Sequence, residues 1–208
     1  MKAFESTPLL YLITDRTLCR SRSVLDLIAE AARAGVDLIQ IREKDLPTRE
    51  LCALVEEAAA RIAGTPARLL VNDRADVAMT CGAHGVHVTT RSLPVAVVRA
   101  IVGPDFLIGA SAHSLEEARE AEAGGADFLV LGPVFETPSK APYGPPLGLE
   151  AFARIARTIR LPVLAIGGIT PENASRVLAH HAAGVAAIRM FAEAEQLELL
   201  VARLKGLR

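Results

Sequence analysis

Three polar residues, spaced two positions apart, lie at the end of a short apolar run. They are Gln40, Arg42 and Lys44, at the end of the run LIQIRE and just beyond it. Residues i, i+2 and i+4 of a strand project from one face, so we expect an amide and two cations to point in one direction. The next apolar run, ARLLVND, ends in Asn72 and Asp73. Amides and cations in this pattern are typical of a pocket for a small phosphorylated molecule.

A long polar loop follows the sixth apolar run. Residues 132–148 read GPVFETPSKAPYGPPLG, which has neither the alternation of a strand nor the apolar stripe of a helix. Loops of this length in compact domains are more often lids or binding loops than inert connections. Thr137, Ser139 and Lys140 place two hydroxyls and an ammonium group close together, a combination that suits phosphate or pyrophosphate. We therefore expect residues 134–148 to form a lid that binds phosphate.

The elements that must position these residues repeat a strand and a helix eight times. Apolar runs without alternation are typical of parallel strands buried on both faces, and they span 9–15, 38–43, 67–73, 85–88, 106–112, 128–133, 162–168 and 184–189. Helical patterns lie between them, at 24–34, 48–63, 75–81, 94–102, 114–124, 149–160, 171–182 and 194–206. Ser114 and Glu117 predict a capping box at the fifth helix. The alternation predicts a single-domain (β/α)8 TIM barrel over residues 1–208. A doubly wound sheet is the alternative, but no glycine loop follows the first run.

In such a barrel the carboxyl ends of all strands meet at one rim, where the chemistry takes place. Ser111 and His113 follow the fifth run and join the candidates at this rim. His87 ends the fourth run, and because it continues a core strand we expect it to pack or hydrogen-bond rather than react.

Gly167 and Gly168 end the seventh run, before a helix predicted to start near Thr170 and Pro171. Glycine lets an anion approach the backbone N–H groups closely, and a following helix dipole adds about 0.3 to 1 kcal/mol. A tight turn without a ligand explains a bare Gly-Gly pair as well. The position after a seventh barrel strand favours a phosphate site.

The composition excludes several classes of function. The 208 residues carry a net charge of −1 without a basic stripe, which argues against nucleic acid as a partner. The apolar runs fall short of the roughly 20 residues of a membrane helix, and the first fifteen residues show no export signal. Cys19, Cys52 and Cys81 are an odd, unclustered set that fits reduced thiols better than disulfides or a metal site. We expect a cytoplasmic protein whose oligomeric state is open, a homo-oligomer included.

Several spaced segments resemble the thiamine-phosphate synthase and TenI superfamily. They are QIREK, VNDRADVA, GVHV, GASAHSLEEA, GADFLVLGPVFETPSK, GPPLGLE and VLAIGGITPEN, in this order along nearly the whole chain. The resemblance implies a TIM-barrel enzyme of thiamine biosynthesis. One branch, thiamine-phosphate synthase, joins hydroxymethylpyrimidine pyrophosphate to thiazole phosphate and releases pyrophosphate. The other branch, the TenI-type thiazole tautomerase, aromatises carboxythiazole phosphate without a metal.

For the synthase branch, the resemblance implies roles for most of the candidate residues. Gln40, Arg42 and Lys44 would bind the pyrophosphate and the pyrimidine. Asn72 would contact the pyrimidine, and Asp73 would bind Mg²⁺. The remaining positions are Ser111 and Lys140 for the pyrophosphate, and Thr137, Ser139, Gly168 and the backbone at the end of the eighth strand for the thiazole phosphate.

Two positions depart from the synthase pattern. Ser92 stands where the synthase has a second magnesium-binding Asp, and Arg189 stands where the last strand typically ends with Ser at the phosphate. A neutral hydroxyl beside Arg91 makes a poor site for Mg²⁺, which prefers carboxylate and phosphate oxygens. Arg189 remains able to pair with a phosphate, and we keep it among the substrate-binding residues.

The tautomerase branch needs neither of these features. Its reaction moves a proton, and His113 in the stretch AHSLEEA matches the acid/base residue of that branch. We therefore expect a TenI-type thiazole tautomerase that acts on a phosphorylated thiazole through His113, without a cofactor. The alternatives are an Mg²⁺-dependent thiamine-phosphate synthase, which the intact Asp73 favours, and a ligand-binding regulatory barrel without turnover.

Overall fold

Eight parallel strands close into a barrel. The computed structural model describes residues 8–19, 22–137 and 145–207, and the strands follow one another around the ring in chain order, with the eighth paired to the first. They are β1 (Leu9–Ile13), β2 (Leu38–Ile41), β3 (Arg68–Asn72), β4 (Gly85–Val88), β5 (Leu107–Ala112), β6 (Phe128–Leu131), β7 (Val163–Ala165) and β8 (Gly184–Ala187). The predicted (β/α)8 TIM barrel is confirmed.

Helices separate the strands as the sequence pattern predicts. They are α1 (Val24–Ala34), α2 (Thr48–Ile62), α3 (Ala75–Thr80), α4 (Val95–Val102), α5 (Leu115–Ala123), α6 (Leu149–Thr158), α7 (Ala174–Ala179), α8 (Arg189–Ala192) and α9 (Leu197–Lys205). Within the described ranges, none of the helices has the length and apolar character needed to cross a membrane.

Apolar side chains form two layers, one on each face of the strands. Tyr11, Leu38, Leu70, Phe128 and Leu164 belong to a cluster inside the barrel, which we call the interior cluster. The alternate strand residues belong to a larger cluster that packs against the helices. Because both faces are buried, the strands read as continuous apolar runs. Polar side chains on the inner face therefore stand out near the carboxyl ends of the strands.

The predicted capping box at α5 forms with one change of partner. The Ser114 hydroxyl accepts a hydrogen bond from the backbone N–H of Glu117 at 3.1 Å. The Glu117 carboxylate accepts from the backbone N–H of His113 at 2.6 Å, one residue before the cap. Both contacts satisfy backbone donors at a helix start, so the local sequence fixes where α5 begins.

The seventh helix is shorter than the pattern predicts. The predicted segment 171–182 is helical only over Ala174–Ala179. The Asn173 side chain accepts from the backbone N–H of Thr170 at 2.8 Å and donates to the Gly168 carbonyl at 2.8 Å. This local hydrogen-bonded turn competes with helix formation, which explains the later start.

Candidate active site

The second strand brings Gln40 to the inner face of the barrel. Gln40 lies two residues after Leu38 of the interior cluster and is only 1 % exposed. Its amide nitrogen has no hydrogen-bond partner among the described residues. Arg42 is half-buried and Lys44 is exposed, and both line a cavity of about 210 Å³ outside the ends of β1 and β2. The predicted group of an amide and two cations therefore lies at the carboxyl end of β2.

A buried carboxylate that the sequence reasoning missed holds this end of β2. Glu43 accepts from the Thr14 hydroxyl at 2.6 Å and from the backbone N–H of Arg16 at 3.1 Å. Arg16 also pairs with Asp45 through two hydrogen bonds of 2.6 and 2.5 Å. The Thr14 hydroxyl in turn accepts from the backbone N–H of Arg42 at 3.0 Å. Acidic residues therefore fix the turn that carries Arg42, and its cationic side chain is left to line the cavity.

The third strand ends in a pair of connected polar residues. The Asn72 amide donates to Asp73 Oδ2 at 3.1 Å, and the Ser92 hydroxyl donates to Asp73 Oδ1. Asp73 is exposed and has a φ of 60°, a conformation in which Asp is more common than most other residues. The Ser92 oxygen itself accepts from the backbone N–H of Thr89 at 2.6 Å. Ser92 and Asp73 therefore lie together at the rim.

The fourth and fifth strands connect the rim to the barrel interior. His87 Nε2 lies 2.9 Å from the Ser111 hydroxyl oxygen, and His87 Nδ1 lies 3.2 Å from the Tyr11 hydroxyl oxygen. Burial, with a smaller contribution from the charge of Arg42, lowers the pKa of His87 to about 3. The prediction that His87 packs and hydrogen-bonds in the core is confirmed. Neither Tyr11 nor its link to Ser111 was predicted, because nothing local in the sequence signals a bond across the barrel.

His113 lies beyond the end of β5 and is exposed. Its ring Nδ1 is hydrogen-bonded to the Gly132 carbonyl, which can only accept, so Nδ1 carries the proton. In the neutral ring Nε2 is then the unprotonated nitrogen. The contact fixes the imidazole against the end of β6.

The glycines after β7 lie under the segment that follows β6. Gly167 and Gly168 have φ values of 94° and 65°, which favour glycine. A side chain at Gly168 would come within 2.5 Å of the Glu136 carbonyl oxygen, and one at Gly167 would overlap Pro133. Because α7 starts only at Ala174, the expected helix dipole at these glycines is not there. Close packing against the segment after β6 explains why both positions are glycine. Phosphate binding by the backbone N–H groups of Gly167 and Gly168 stays a prediction.

The rest of the predicted phosphate site is only partly within the described residues. Thr137 is half-buried at the end of the described segment after β6. Ser139 and Lys140 lie outside the described residues, together with the rest of 138–144 in the middle of the predicted lid. Arg189 begins α8, is exposed and forms an ion pair with Glu193 at 2.9 Å.

Comparison with known proteins identifies the family. A family model described as thiamine monophosphate synthase matches residues 10–191. A thiamine-phosphate synthase from Roseiflexus sp. is 45 % identical over 182 residues, which are 86 % of this chain and 76 % of that protein. One from Methanoculleus marisnigri is 46 % identical over 179 residues, which are 86 % of this chain and 85 % of that protein. The solved structure of a thiamine phosphate pyrophosphorylase from Pyrococcus furiosus matches with a TM-score of 0.86 and 36 % identity, over 96 % of this chain and 95 % of that one.

These relatives contradict the expectation of a TenI-type thiazole tautomerase. Their names describe a synthase, a transferase rather than an isomerase. The preference for the tautomerase rested chiefly on Ser92, with Arg189 and His113 in support, and these few positions do not outweigh similarity along nearly the whole chain. His113 was expected to be catalytic only in the tautomerase reaction, so the prediction of a catalytic role for His113 is wrong as well. This chain belongs to the thiamine monophosphate synthase family.

Proposed function

We propose that this protein is a thiamine-phosphate synthase, which joins hydroxymethylpyrimidine pyrophosphate to thiazole phosphate and releases pyrophosphate. Relatives that carry this name support the proposal. The observation that carries it in the chain itself is Gln40, whose amide nitrogen is buried on the inner face of β2 without a partner among the described residues. A buried donor without a partner costs about 1 to 3 kcal/mol of stability. A polar ligand at the barrel mouth would accept the hydrogen bond that the Gln40 amide lacks.

The reaction places developing negative charge on the leaving pyrophosphate. The bond between the pyrimidine methylene carbon and a pyrophosphate oxygen breaks, and its electrons leave with the pyrophosphate. The thiazole nitrogen provides the electron pair of the new C–N bond. Arg42 and Lys44 would stabilise the leaving group by charge, and Ser111 would donate a hydrogen bond to it. Gln40 and Asn72 would hold the pyrimidine through their amide groups.

The thiazole phosphate would bind on the side of β6 to β8. Thr137 and the backbone of Gly167 and Gly168 are the groups there within the described residues. Ser139 would assist them, and Lys140 would reach the pyrophosphate; both follow from the resemblance alone. Arg189 could join only by exchanging its ion pair with Glu193 for a substrate phosphate.

The resemblance assigns one carboxylate of the rim, that of Asp73, to Mg²⁺. Among the described residues no group of three or more His, Cys, Asp and Glu side chains could hold a metal ion. Mg²⁺ commonly uses only one or two carboxylates and takes its other ligands from water and substrate phosphates, so the residues present fit an ion that arrives with pyrophosphate. Asp73 would hold it, oriented by its hydrogen bonds from Asn72 and Ser92. When bound, the ion would neutralise charge on the leaving pyrophosphate.

The test is formation of thiamine phosphate from the two substrates with Mg²⁺. We expect equimolar thiamine phosphate and pyrophosphate, and no product when EDTA removes the metal. A protein that binds both substrates but makes no product would contradict the proposal and favour the regulatory barrel.

A matched pair of variants tests the metal role of Asp73. Asp73→Asn should raise the Mg²⁺ concentration for half-maximal rate at least about tenfold, because the hard cation loses its carboxylate. Asp76→Asn is the control, since Asp76 lies three residues on and pairs with Arg74 at 2.6 Å. We expect this variant to stay within about twofold of the wild type. Equal effects of the two variants would remove Asp73 from the metal site.

A further inference from the structure

Three strands bring Tyr11, His87 and Ser111 into one hydrogen-bonded line. The Tyr11 hydroxyl oxygen lies 3.2 Å from His87 Nδ1, and His87 Nε2 lies 2.9 Å from the Ser111 hydroxyl oxygen. Tyr11 is fully buried and His87 is 2 % exposed, whereas Ser111 is partly exposed at the mouth. Tyr11 comes from β1, which is not a neighbour of β4 or β5, so the line crosses the barrel interior. One end is therefore in the core and the other faces the proposed substrate.

The imidazole ring is held in place on several sides. The Phe128 ring packs edge-on against Tyr11 at 5.5 Å and lies 6.1 Å from the His87 ring. On β5, a side chain at Gly109 would come within 2.6 Å of His87 Nδ1 and would overlap Phe128. The glycine thus leaves the space that the histidine fills. A ring confined in this way keeps its two nitrogens aimed at fixed partners.

The number of donors and acceptors on these side chains determines which group donates and which accepts along the line. His87 is 2 % exposed and its two nitrogens face the hydroxyls of Tyr11 and Ser111, not carboxylates, so the ring is neutral and has one N–H and one acceptor nitrogen. If Nδ1 carried the proton, the Tyr11 hydroxyl would accept from it and would then need another acceptor for its own proton. The described part of the chain shows the Tyr11 hydroxyl no such acceptor. A buried hydroxyl without an acceptor is unfavourable, so Tyr11 donates to Nδ1 and the proton of His87 is on Nε2.

This direction determines what Ser111 can do. Nε2–H donates to the Ser111 oxygen, which leaves the Ser111 proton available for a partner at the mouth. We propose that Tyr11 and His87 are positioning residues, which hold the Ser111 hydroxyl as a hydrogen-bond donor toward a pyrophosphate oxygen. The inference rests on the proposed function, because it takes Ser111 as a contact of the substrate pyrophosphate. Tyr11 and His87 themselves do not touch the substrate.

A double-mutant cycle tests whether Tyr11 acts through Ser111. The probe is inorganic pyrophosphate, and its Kd is measured by calorimetry for the wild type, Tyr11→Phe, Ser111→Ala and the double variant. We expect Tyr11→Phe to weaken binding about three- to tenfold when Ser111 is present. In the Ser111→Ala background the same change should alter Kd by less than about 1.5-fold, because the donor it orients is gone. Equal effects in both backgrounds, or none in the first, would overturn the proposal.

A control variant separates orientation from packing. Leu70→Val removes a methylene group from the interior cluster and keeps all three hydrogen-bonding side chains of the line. It should lower thermal stability and leave the Kd for pyrophosphate unchanged. If it weakens binding as much as Tyr11→Phe does, the effect is general loosening of the barrel and the proposal is wrong.

The tautomer of His87 provides a test that needs no variant. Nitrogen-15 shifts of the labelled wild-type protein should show the proton of His87 on Nε2 and not on Nδ1. A proton on Nδ1 would contradict the proposed direction even if the cycle shows coupling. Neither test uses turnover, so both remain decisive if the protein forms no thiamine phosphate. A wild type that does not bind pyrophosphate would overturn the positioning role as well.

Discussion

Gln40 combines nearly complete burial with an amide nitrogen that lacks a partner among the described residues. We predict that Gln40→Met raises the free energy of unfolding by about 1 kcal/mol, because it removes an unpaired buried donor while keeping a side chain of similar length. The same change should lower kcat/KM for the pyrimidine substrate at least about tenfold. Urea denaturation and steady-state kinetics measure the two effects.

Gln196 provides the control for this substitution. It is exposed and precedes α9 without a side-chain capping bond. Gln196→Met should therefore change stability by less than about 0.5 kcal/mol and leave the kinetics unchanged. A Gln40→Met protein that is less stable and fully active would show that the amide has a structural role.

Single residues of the site were predictable where strand geometry alone places them. The alternation of side chains put Gln40 on one face of its strand with Arg42 and Lys44, and the barrel rule put Asn72 and Ser111 at the rim. Glu43 and Tyr11 were not predicted. Their partners, Thr14 and His87, lie 29 and 76 residues away in the chain, and such contacts depend on how the strands are arranged around the ring.

The segment that follows β6 packs closely against the end of β7, and this close approach depends on Gly168. We predict that Gly168→Ala destabilises the protein by more than about 2 kcal/mol, because the new side chain meets the Glu136 carbonyl and the backbone φ is positive. It should also raise the KM for thiazole phosphate, since the displaced segment carries Thr137. Thermal unfolding and initial rates at varied thiazole phosphate measure both effects.

Gly64 separates the two causes of this loss. It also has a positive φ, 83°, but a side chain there would meet nothing within 4 Å. Gly64→Ala should therefore lose only about 1 kcal/mol of stability, from backbone strain, with an unchanged KM. Equal losses in the two variants would show that the contact with Glu136 is unimportant.

The start of α5 depends on the Ser114 cap. Ser114→Ala should lower the free energy of unfolding by about 1 kcal/mol, because the backbone N–H of Glu117 loses its acceptor. Ser175→Ala, at an exposed position inside α7, is the control and should change stability by less than about 0.5 kcal/mol. Chemical denaturation measures both, and a neutral Ser114→Ala would mean that water replaces the cap without loss.

Element positions were largely predictable because apolar periodicity and caps are local signals. Each predicted apolar run contains one strand, and the helix over 24–34 has the bounds observed for α1. The pattern over 171–182 was misleading, because the Asn173 side chain stabilises a turn where propensity alone continues the helix. The lid over 134–148 stays a prediction, since its middle part, residues 138–144, lies outside the described residues.

At the scale of the whole molecule, His87 should make stability depend on pH. Burial lowers its pKa from about 6.5 to about 3, so below pH 6.5 the unfolded chain binds a proton that the folded one does not. Stability from this group is therefore complete above pH 6.5 and falls as the pH decreases toward 3. We predict a loss of up to about 1.4 kcal/mol for each pH unit in the lower part of this window.

Denaturation of wild type and His87→Gln between pH 4.5 and 7 measures this dependence. The variant should show a flatter curve, although its stability at pH 7 is lower because the Ser111 and Tyr11 contacts are lost. His181→Gln, at an exposed turn after α7, should keep the slope of the wild type. A slope that survives in His87→Gln would assign the pH dependence to other groups, His84 among them, whose pKa burial also lowers.

The branch of the family is a property of the whole chain, and the wrong prediction of the branch came chiefly from one position. Ser92 was weighed as the loss of a magnesium ligand. The structure shows its hydroxyl bonded to Asp73, so it orients the carboxylate that is present. Because Mg²⁺ takes further ligands from phosphate oxygens, one missing carboxylate does not remove the synthase chemistry.

The pairing of β1 with β8 has a consequence for biosynthesis. Leu9 bonds in register with Gly184, so the first strand emerges from the ribosome on the order of 10 to 35 s before its partner, at roughly 5 to 20 residues per second. During that interval the nascent sheet has two open edges, which attract chaperones and other unfinished chains. We expect an arrest-peptide assay to register the pulling force of ring closure only once residue 187 has left the exit tunnel. A force peak before β8 emerges would mean that the sheet is stable while still open.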